Sequence, residues 1–248
     1  MIQLHFIGGW ASTPLVWQEV MANLTPHLKD TPHHITYWDW DVLLDLTSSA
    51  SCNFQENDRL IPGANHIWIA WSSGTLALFR LAACLSENPK NHLFVGISPM
   101  VKFVNDAGWK LGWRRATVKT MINRLQVDTC GTLKDFYQLA QKGGRSPGID
   151  LQPVLDQVQE EGLQLPLAHL QDGLTLLVES DKRHQIKKIS HPLVIISGDQ
   201  DRICPPGQAR WIEGEARQVQ WVTHTHGSHL IPLSHGADVA RAILDLMA

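Results

Sequence analysis

Residues 69–76 read Ile69-Ala70-Trp71-Ser72-Ser73-Gly74-Thr75-Leu76, and this stretch decides the fold. A hydrophobic strand runs into Ser72, and Gly74 opens an Ala/Leu-rich helix. A strand–turn–helix this tight forces its central residue into strained backbone and lifts that side chain clear of the sheet. Strand and helix then pass closely, which demands small residues two before and two after the centre. Ala70 and Gly74 meet that demand around Ser72, whereas centring on Ser73 puts Trp71 and Thr75 at the crowded positions. This is the mechanical content of a G-x-S-x-G nucleophile elbow, with Ala70 at the first glycine. The competing reading is that Ser72 and Ser73 only cap the following helix.

Working outward, short apolar runs at 2–7, 34–38, 65–71, 92–97, 192–197 and 218–223 read as strands. They alternate with helical patterns at 14–28, 74–85 and 236–247, while 43–63 reads as polar and irregular. Such alternation predicts a parallel sheet covered on both faces. From 105 to about 180 the pattern is amphipathic helix, with Thr132-x-x-Asp135 resembling a capping pair and Ser146 or Asp150 able to begin the next helix. The expected organisation is a core of 1–104 and 186–248, with 105–185 inserted as a helical lid.

A serine hydroxyl needs a base, and the base needs an orienting acid. His229 follows the strand at 218–223, in the loop before the last helix. Asp201 stands in Gly198-Asp199-Gln200-Asp201-Arg202, after the strand at 192–197. Asp199, nearer the strand, is better placed to brace the turn or pair with Arg202. Two aspartates in a turn are also common as plain solvated residues. His224 and His226 with His229 suggest a metal cluster, but their spacing matches no standard zinc pattern. We expect neither a metal nor a cofactor. For an oxyanion hole, the backbone N–H of Ser73 is one donor. That of Trp10, in the turn Gly8-Gly9-Trp10 after the first strand, is the second. Trp10 serves equally as an apolar wall.

Together these residues resemble the α/β-hydrolases. Within them they are similar to the carboxylesterase family that frees pimeloyl from its methyl ester on acyl carrier protein in biotin synthesis. Phe6-Ile7-Gly8-Gly9-Trp10 is similar to that family's His-Gly-Trp turn, and Ala70-Trp71-Ser72-Ser73-Gly74 to its Gly-Trp-Ser-x-Gly elbow. Residues 198–205 look like its acid loop, and 229–235 like its catalytic-histidine segment, with an extra apolar residue before Pro232 and a structural His235. The order Ser72, Asp201, His229 is the order of this fold. Gly8 and Ala70 depart from the family pattern, but neither position carries a reacting group. The chain starts at the strand before the oxyanion turn, so about six mostly parallel strands are expected, without the usual leading hairpin.

The resemblance implies a serine carboxylesterase acting on pimeloyl-[acyl-carrier protein] methyl ester. The alternatives are a general small-molecule ester or amide hydrolase with the same triad, and a non-catalytic binding protein of this fold. Trp10, Trp71, Trp109, Trp113, Met121 and Phe136 are the candidates for an apolar substrate channel. Lys110, Arg114, Arg115, Lys119 and Arg124 against Asp106 give residues 105–125 a charge of +4 in a chain of −3 overall. That patch suits an acidic carrier protein, although a solvated helix face reads the same way. The net negative charge argues against nucleic acid. No apolar run is long enough to span a bilayer, and there is no secretory leader pattern, so a cytoplasmic location is expected. Cys52, Cys84, Cys130 and Cys204 form no C-x-x-C pair and read as reduced, scattered thiols.

Overall fold

A computed structural model describes residues 1–46, 58–85, 91–146 and 150–247, with the side chains of 45 and 46 left out. Six strands form one sheet: β1 (Ile2–Ile7), β2 (His33–Trp38), β3 (Asn65–Trp71), β4 (His92–Ile97), β5 (Leu193–Gly198) and β6 (Val219–His224). Their order is β2-β1-β3-β4-β5-β6, and every neighbouring pair is parallel. All six predicted strands are present, shifted by at most one residue. β3 and β5 are buried almost throughout, which is why they read as continuous apolar runs rather than alternating ones.

The order reverses at β1. From there the chain steps one way to β2, then returns to add β3, β4, β5 and β6 on the other side. Right-handed crossovers running in opposite directions place α1 (Gln18–Leu24) and α3 (Gly74–Cys84) on opposite faces. α1 packs against α11 (Gly236–Met247), and α3 against α2 (Trp40–Leu46). Beyond the carboxyl ends of β1 and β3 lies the crevice where such sheets hold ligands. α2 overturns part of the expectation that 43–63 is irregular; residues 47–57 lie outside the described residues.

Between β4 and β5 the chain leaves the sheet. It forms α4 (Arg115–Val127), α5 (Thr129–Gln141), α6 (Gln152–Gly162), α7 (Leu167–Glu179) and α8 (Arg183–Ile186). Exit and return are strapped together. Lys102 bridges to Asp181, whose carboxylate pairs with both Lys102 and Arg183, and the Lys182 N–H donates to the Val101 carbonyl at 2.7 Å. α9 (Gly207–Glu215) and α10 (Ile231–Ser234) flank β6. The helix starts at 129 and 152 differ in their caps. Thr132 is inside α5, and Asp128 accepts from the Gly131 N–H at 2.8 Å. Asp135 pairs with Arg124 instead of closing a capping box. Asp150 does accept from the Gln152 N–H, at 3.0 Å.

One sheet face carries a buried imidazole–indole layer that periodicity did not reveal. The His5 ring stacks on Trp68 with centroids 3.7 Å apart. Trp38 Nε1 donates to His5 Nδ1 at 3.1 Å, and Trp68 Nε1 to His92 Nδ1 at 3.2 Å. An indole N–H only donates, so each of those Nδ1 atoms is unprotonated. His5 Nε2 then carries the proton toward His66 Nδ1, 3.1 Å away. Burial first, and then the neighbouring His66, His92 and Arg59, pull the His5 pKa down from 6.5 to about 2. Burial likewise pulls His92 to about 4 and lowers His66.

These folded-state values lie below the unfolded ones, so the unfolded chain binds more protons below pH ~6.5 and stability falls as pH drops through that point. His5 alone is expected to remove about 2 kcal/mol between pH ~7.5 and ~5, with His66 and His92 adding to it. Urea unfolding midpoints across that window measure the loss; a flat profile would rule it out.

Among the described residues Cys130 and Cys204 are free, but Cys84 is disulfide-bonded. The expectation of four reduced thiols is therefore corrected at Cys84; Cys52 lies outside the described residues. No helix among the described residues is long and apolar enough to cross a membrane.

Candidate active site

Ser72 has φ 56°, in the left-handed region that a non-glycine residue enters only when its surroundings hold it there. The hold is visible on every side. The Ser72 N–H donates to the Ile97 carbonyl at 3.0 Å, and the Ser72 carbonyl accepts the Thr75 hydroxyl at 2.6 Å. Thr75 Oγ1 also accepts from the Met100 N–H at 3.0 Å, tying the turn to the end of β4. A Cβ on Gly74 would sit 2.6 Å from the Gly8 carbonyl oxygen and 2.7 Å from that of Ile7. Only glycine lets α3 approach β1 so closely. Ala70, at the position of the first elbow glycine, lies opposite Gly96 of β4 in the ladder. Neither serine hydroxyl caps α3: Ser72 is committed elsewhere, and the Ser73 hydroxyl is buried with no hydrogen-bond partner among the described residues.

Three of the residues singled out by sequence converge. His229 Nε2 lies 2.9 Å from Ser72 Oγ, and His229 Nδ1 lies 2.9 Å from Asp201 Oδ2. All three are buried. Asp201 Oδ1 accepts from the N–H groups of Ile203 and Cys204 at 2.9 and 2.8 Å, so its carboxylate is an acceptor held by its own loop. Facing that acceptor, His229 carries its proton on Nδ1, which leaves Nε2 to take the Ser72 proton. Asp199 braces the adjoining turn instead, with Oδ1 accepting from the His226 N–H at 2.7 Å. His224 instead packs against His235, with ring centroids 4.4 Å apart and the planes tilted by 37°.

The turn after β1 lies beside the elbow because β1 pairs with β3 in a register that sets Ile7 opposite Ala70. A Cβ on Gly9 would come within 2.9 Å of the Ser72 Cβ, so this backbone touches the serine only as glycine. Among the described residues the N–H groups of Trp10 and Ser73 donate to no protein acceptor. Two unpaired, buried donors flanking a serine are the arrangement that stabilises a developing oxyanion.

The helices between β4 and β5 grip both this turn and the histidine loop, which sequence reasoning missed. The Tyr137 hydroxyl donates to the Ala11 carbonyl and Trp10 Nε1 to the Leu170 carbonyl, each at 2.8 Å. A Cβ on Gly173 would come within 2.8 Å of the Trp10 ring. The His229 N–H donates to the Ala140 carbonyl at 3.0 Å. Carbonyl acceptors on a helix leave no residue-type signal, so only Tyr137 was available to the eye.

The proposed apolar channel divides. Trp113, Met121 and Phe136, with Leu139 and Thr117, line a cavity of about 240 Å³ between α4 and α5, and Phe136 meets the Trp10 ring edge-on at 5.0 Å. Trp71 is a support instead: its Nε1 donates to the His229 carbonyl at 2.8 Å, and Ser98 Oγ donates to the same oxygen at 3.2 Å. Trp109 lies apart, donating to the Lys102 carbonyl and packing on Trp211. Lys110, Arg114, Arg115, Lys119 and Arg124 are all exposed. Arg124 is neutralised by Asp128 and Asp135, so the basic patch is smaller than the sequence count.

No protein-family model matches the chain. Its sequence is 29% identical over 235 residues to a pimeloyl-[acyl-carrier protein] methyl ester esterase of Nitrosomonas europaea, covering 92% of this chain and 88% of that protein. An esterase of the same name from Xanthomonas axonopodis pv. citri is 27% identical, covering 99% and 94%. In three dimensions the chain matches an esterase from Exiguobacterium antarcticum with TM-score 0.81 at 13% identity, covering 99% of this chain and 91% of that one. A bromoperoxidase from Bacillus anthracis matches with TM-score 0.78 at 15% identity and the same coverage. The chain therefore has the α/β-hydrolase fold, and along nearly its whole length it resembles the pimeloyl-[acyl-carrier protein] methyl ester esterases.

Proposed function

We propose that this protein is a serine carboxylesterase that hydrolyses the methyl ester of pimeloyl-[acyl-carrier protein] in biotin synthesis. The observation that carries the reading is near-full-length similarity to esterases of that name in a chain whose Ser72, His229 and Asp201 are joined by two 2.9 Å contacts. His229 takes the Ser72 proton as Oγ attacks the ester carbon, and Asp201 stabilises the imidazolium. The N–H groups of Trp10 and Ser73 receive the oxyanion. Methanol leaves with the proton from His229, and a water activated by the same imidazole releases the free acid. The deciding experiment is growth without biotin in cells lacking their own pimeloyl-carrier esterase. Wild type restores growth and Ser72→Ala does not. A well-expressed wild type that fails, and leaves the purified carrier methyl ester intact, refutes the substrate.

Residues 105–185 act in this reading as the lid over the core of 1–104 and 186–248. Trp113, Met121 and Phe136 receive the acyl chain, and Lys110, Arg114, Arg115 and Lys119 face the acidic carrier. Arg124, already paired, contributes little there. Changing Lys110, Arg114 and Lys119 together to glutamate is expected to lower kcat/KM for the carrier-bound ester about tenfold or more at low salt. Hydrolysis of a free methyl ester should stay within about twofold. Equal losses on both substrates favour a general small-molecule esterase instead.

A further inference from the structure

Cys204 belongs to no step of the mechanism, yet its thiol is buried in the middle of the site. It is three residues beyond Asp201, and its N–H is one of the two that hold the Asp201 carboxylate. The Cys204 sulfur lies beside His229 and Asp201, with the Ser72 hydroxyl next to it. One nitrogen of His229, Cys204 Sγ and one oxygen of Asp201 all lie within 4.8 Å of one another. Among the described residues this is the single group of histidine, cysteine and acidic side chains so disposed.

A tetrahedral zinc ion holds sulfur at about 2.3 Å and nitrogen or oxygen at about 2.0–2.2 Å, which sets its ligands roughly 3.3–3.8 Å apart. Side-chain adjustments of about an ångström gather the three donors to that spacing. Thiolate, imidazole and carboxylate together are the donor set that zinc and its softer relatives select over magnesium or calcium.

We propose that Cys204, His229 and Asp201 form a binding site for a soft divalent cation of the zinc class, and that its occupation switches hydrolysis off. Binding ejects the thiol proton to solvent and forms the sulfur–metal bond, and the His229 Nδ1 that faces Asp201 passes its proton to Nε2 as it takes the metal. It also takes the imidazole and the carboxylate away from each other, so that His229 has no acid partner and no free lone pair for Ser72. Metal and turnover therefore exclude one another through shared atoms. The inhibitory half of this inference rests on the triad reading above; the binding half does not.

The test uses the untagged chain with Cys130→Ala, which removes the exposed free thiol among the described residues, and Cd²⁺ as the probe. Thiolate-to-cadmium ultraviolet absorption should appear at one equivalent in this protein and in its Ser72→Ala derivative, and be absent after Cys204→Ala. Zn²⁺ should inhibit hydrolysis of a p-nitrophenyl ester reversibly, with a chelator restoring the rate, and Cys204→Ala should raise the inhibiting concentration about tenfold or more. Absorption that survives Cys204→Ala, or that never develops in folded protein, overturns the site. Absorption that depends on Cys204, without inhibition of an active enzyme, overturns the switch. A protein that binds cadmium through Cys204 but hydrolyses no ester upholds the site and refutes the hydrolase reading instead.

Discussion

Ser72→Ala is expected to lower kcat/KM on any accepted ester by about 10⁴-fold or more and to abolish labelling by a fluorophosphonate. Ser73→Ala should keep the label. The difference follows from geometry. Ser72 Oγ is the only hydroxyl of the pair within 2.9 Å of His229 Nε2, while Ser73 contributes a backbone N–H that alanine also has. The effect is large because no neighbouring oxygen replaces the lost nucleophile. Asp201 and His229 then have nothing to activate except water, and residual rate comes only from binding and the oxyanion donors. Active-site titration with a fluorophosphonate, followed by peptide mapping, reads the result directly. Equal labelling of the two variants would move the nucleophile away from Ser72.

Gly74→Ala is expected to cost about 1–3 kcal/mol of stability and about a hundredfold in kcat. A new methyl at that position would lie 2.6 and 2.7 Å from two carbonyl oxygens of β1 and its turn. Those are backbone atoms, and no rotamer change relieves them. Either α3 backs away and carries Ser72 with it, or the turn holding Gly9 and Trp10 moves; both misalign the serine with its oxyanion donors. The same substitution at Gly214, where a Cβ meets nothing within 4 Å inside α9, should stabilise by about 0.5–1 kcal/mol. Denaturant midpoints and kcat for the two variants separate close approach at the elbow from a general effect of adding a methyl.

Much of this site was legible because its parts obey local rules. The elbow needs small residues at fixed offsets around Ser72, and Ala70 and Gly74 supply them. Acid and base loops follow recognisable apolar strands, so Asp201 and His229 could be singled out from 24 acidic residues and 13 histidines. The helices between β4 and β5 were harder to read. Trp109 and Trp71 look like Trp113 in sequence, and nothing local distinguishes an indole lining a cavity from one holding a carbonyl. Arg124 counted as a free cation until Asp128 and Asp135 were found beside it. Helix α2 was missed because seven residues between a strand and a polar stretch carry too little periodicity.

The sequence by itself determined the strands, the parallel class, the strained turn at Ser72 and the identity of the residues able to serve it. Those properties depend on neighbours along the chain, through steric size, φ restriction and apolar periodicity. Tertiary structure alone decided the rest. It set the reversal at β1 that places Gly9 against Ser72. It also set the grip of Tyr137, Ala140 and Leu170 on the turn after β1 and the His229 loop, and the buried His5–Trp68 layer. Finally it brought the Cys204 thiol beside the triad. Each of these is a contact between segments far apart in the chain, fixed by strand order and register, for which the residues themselves carry no local mark.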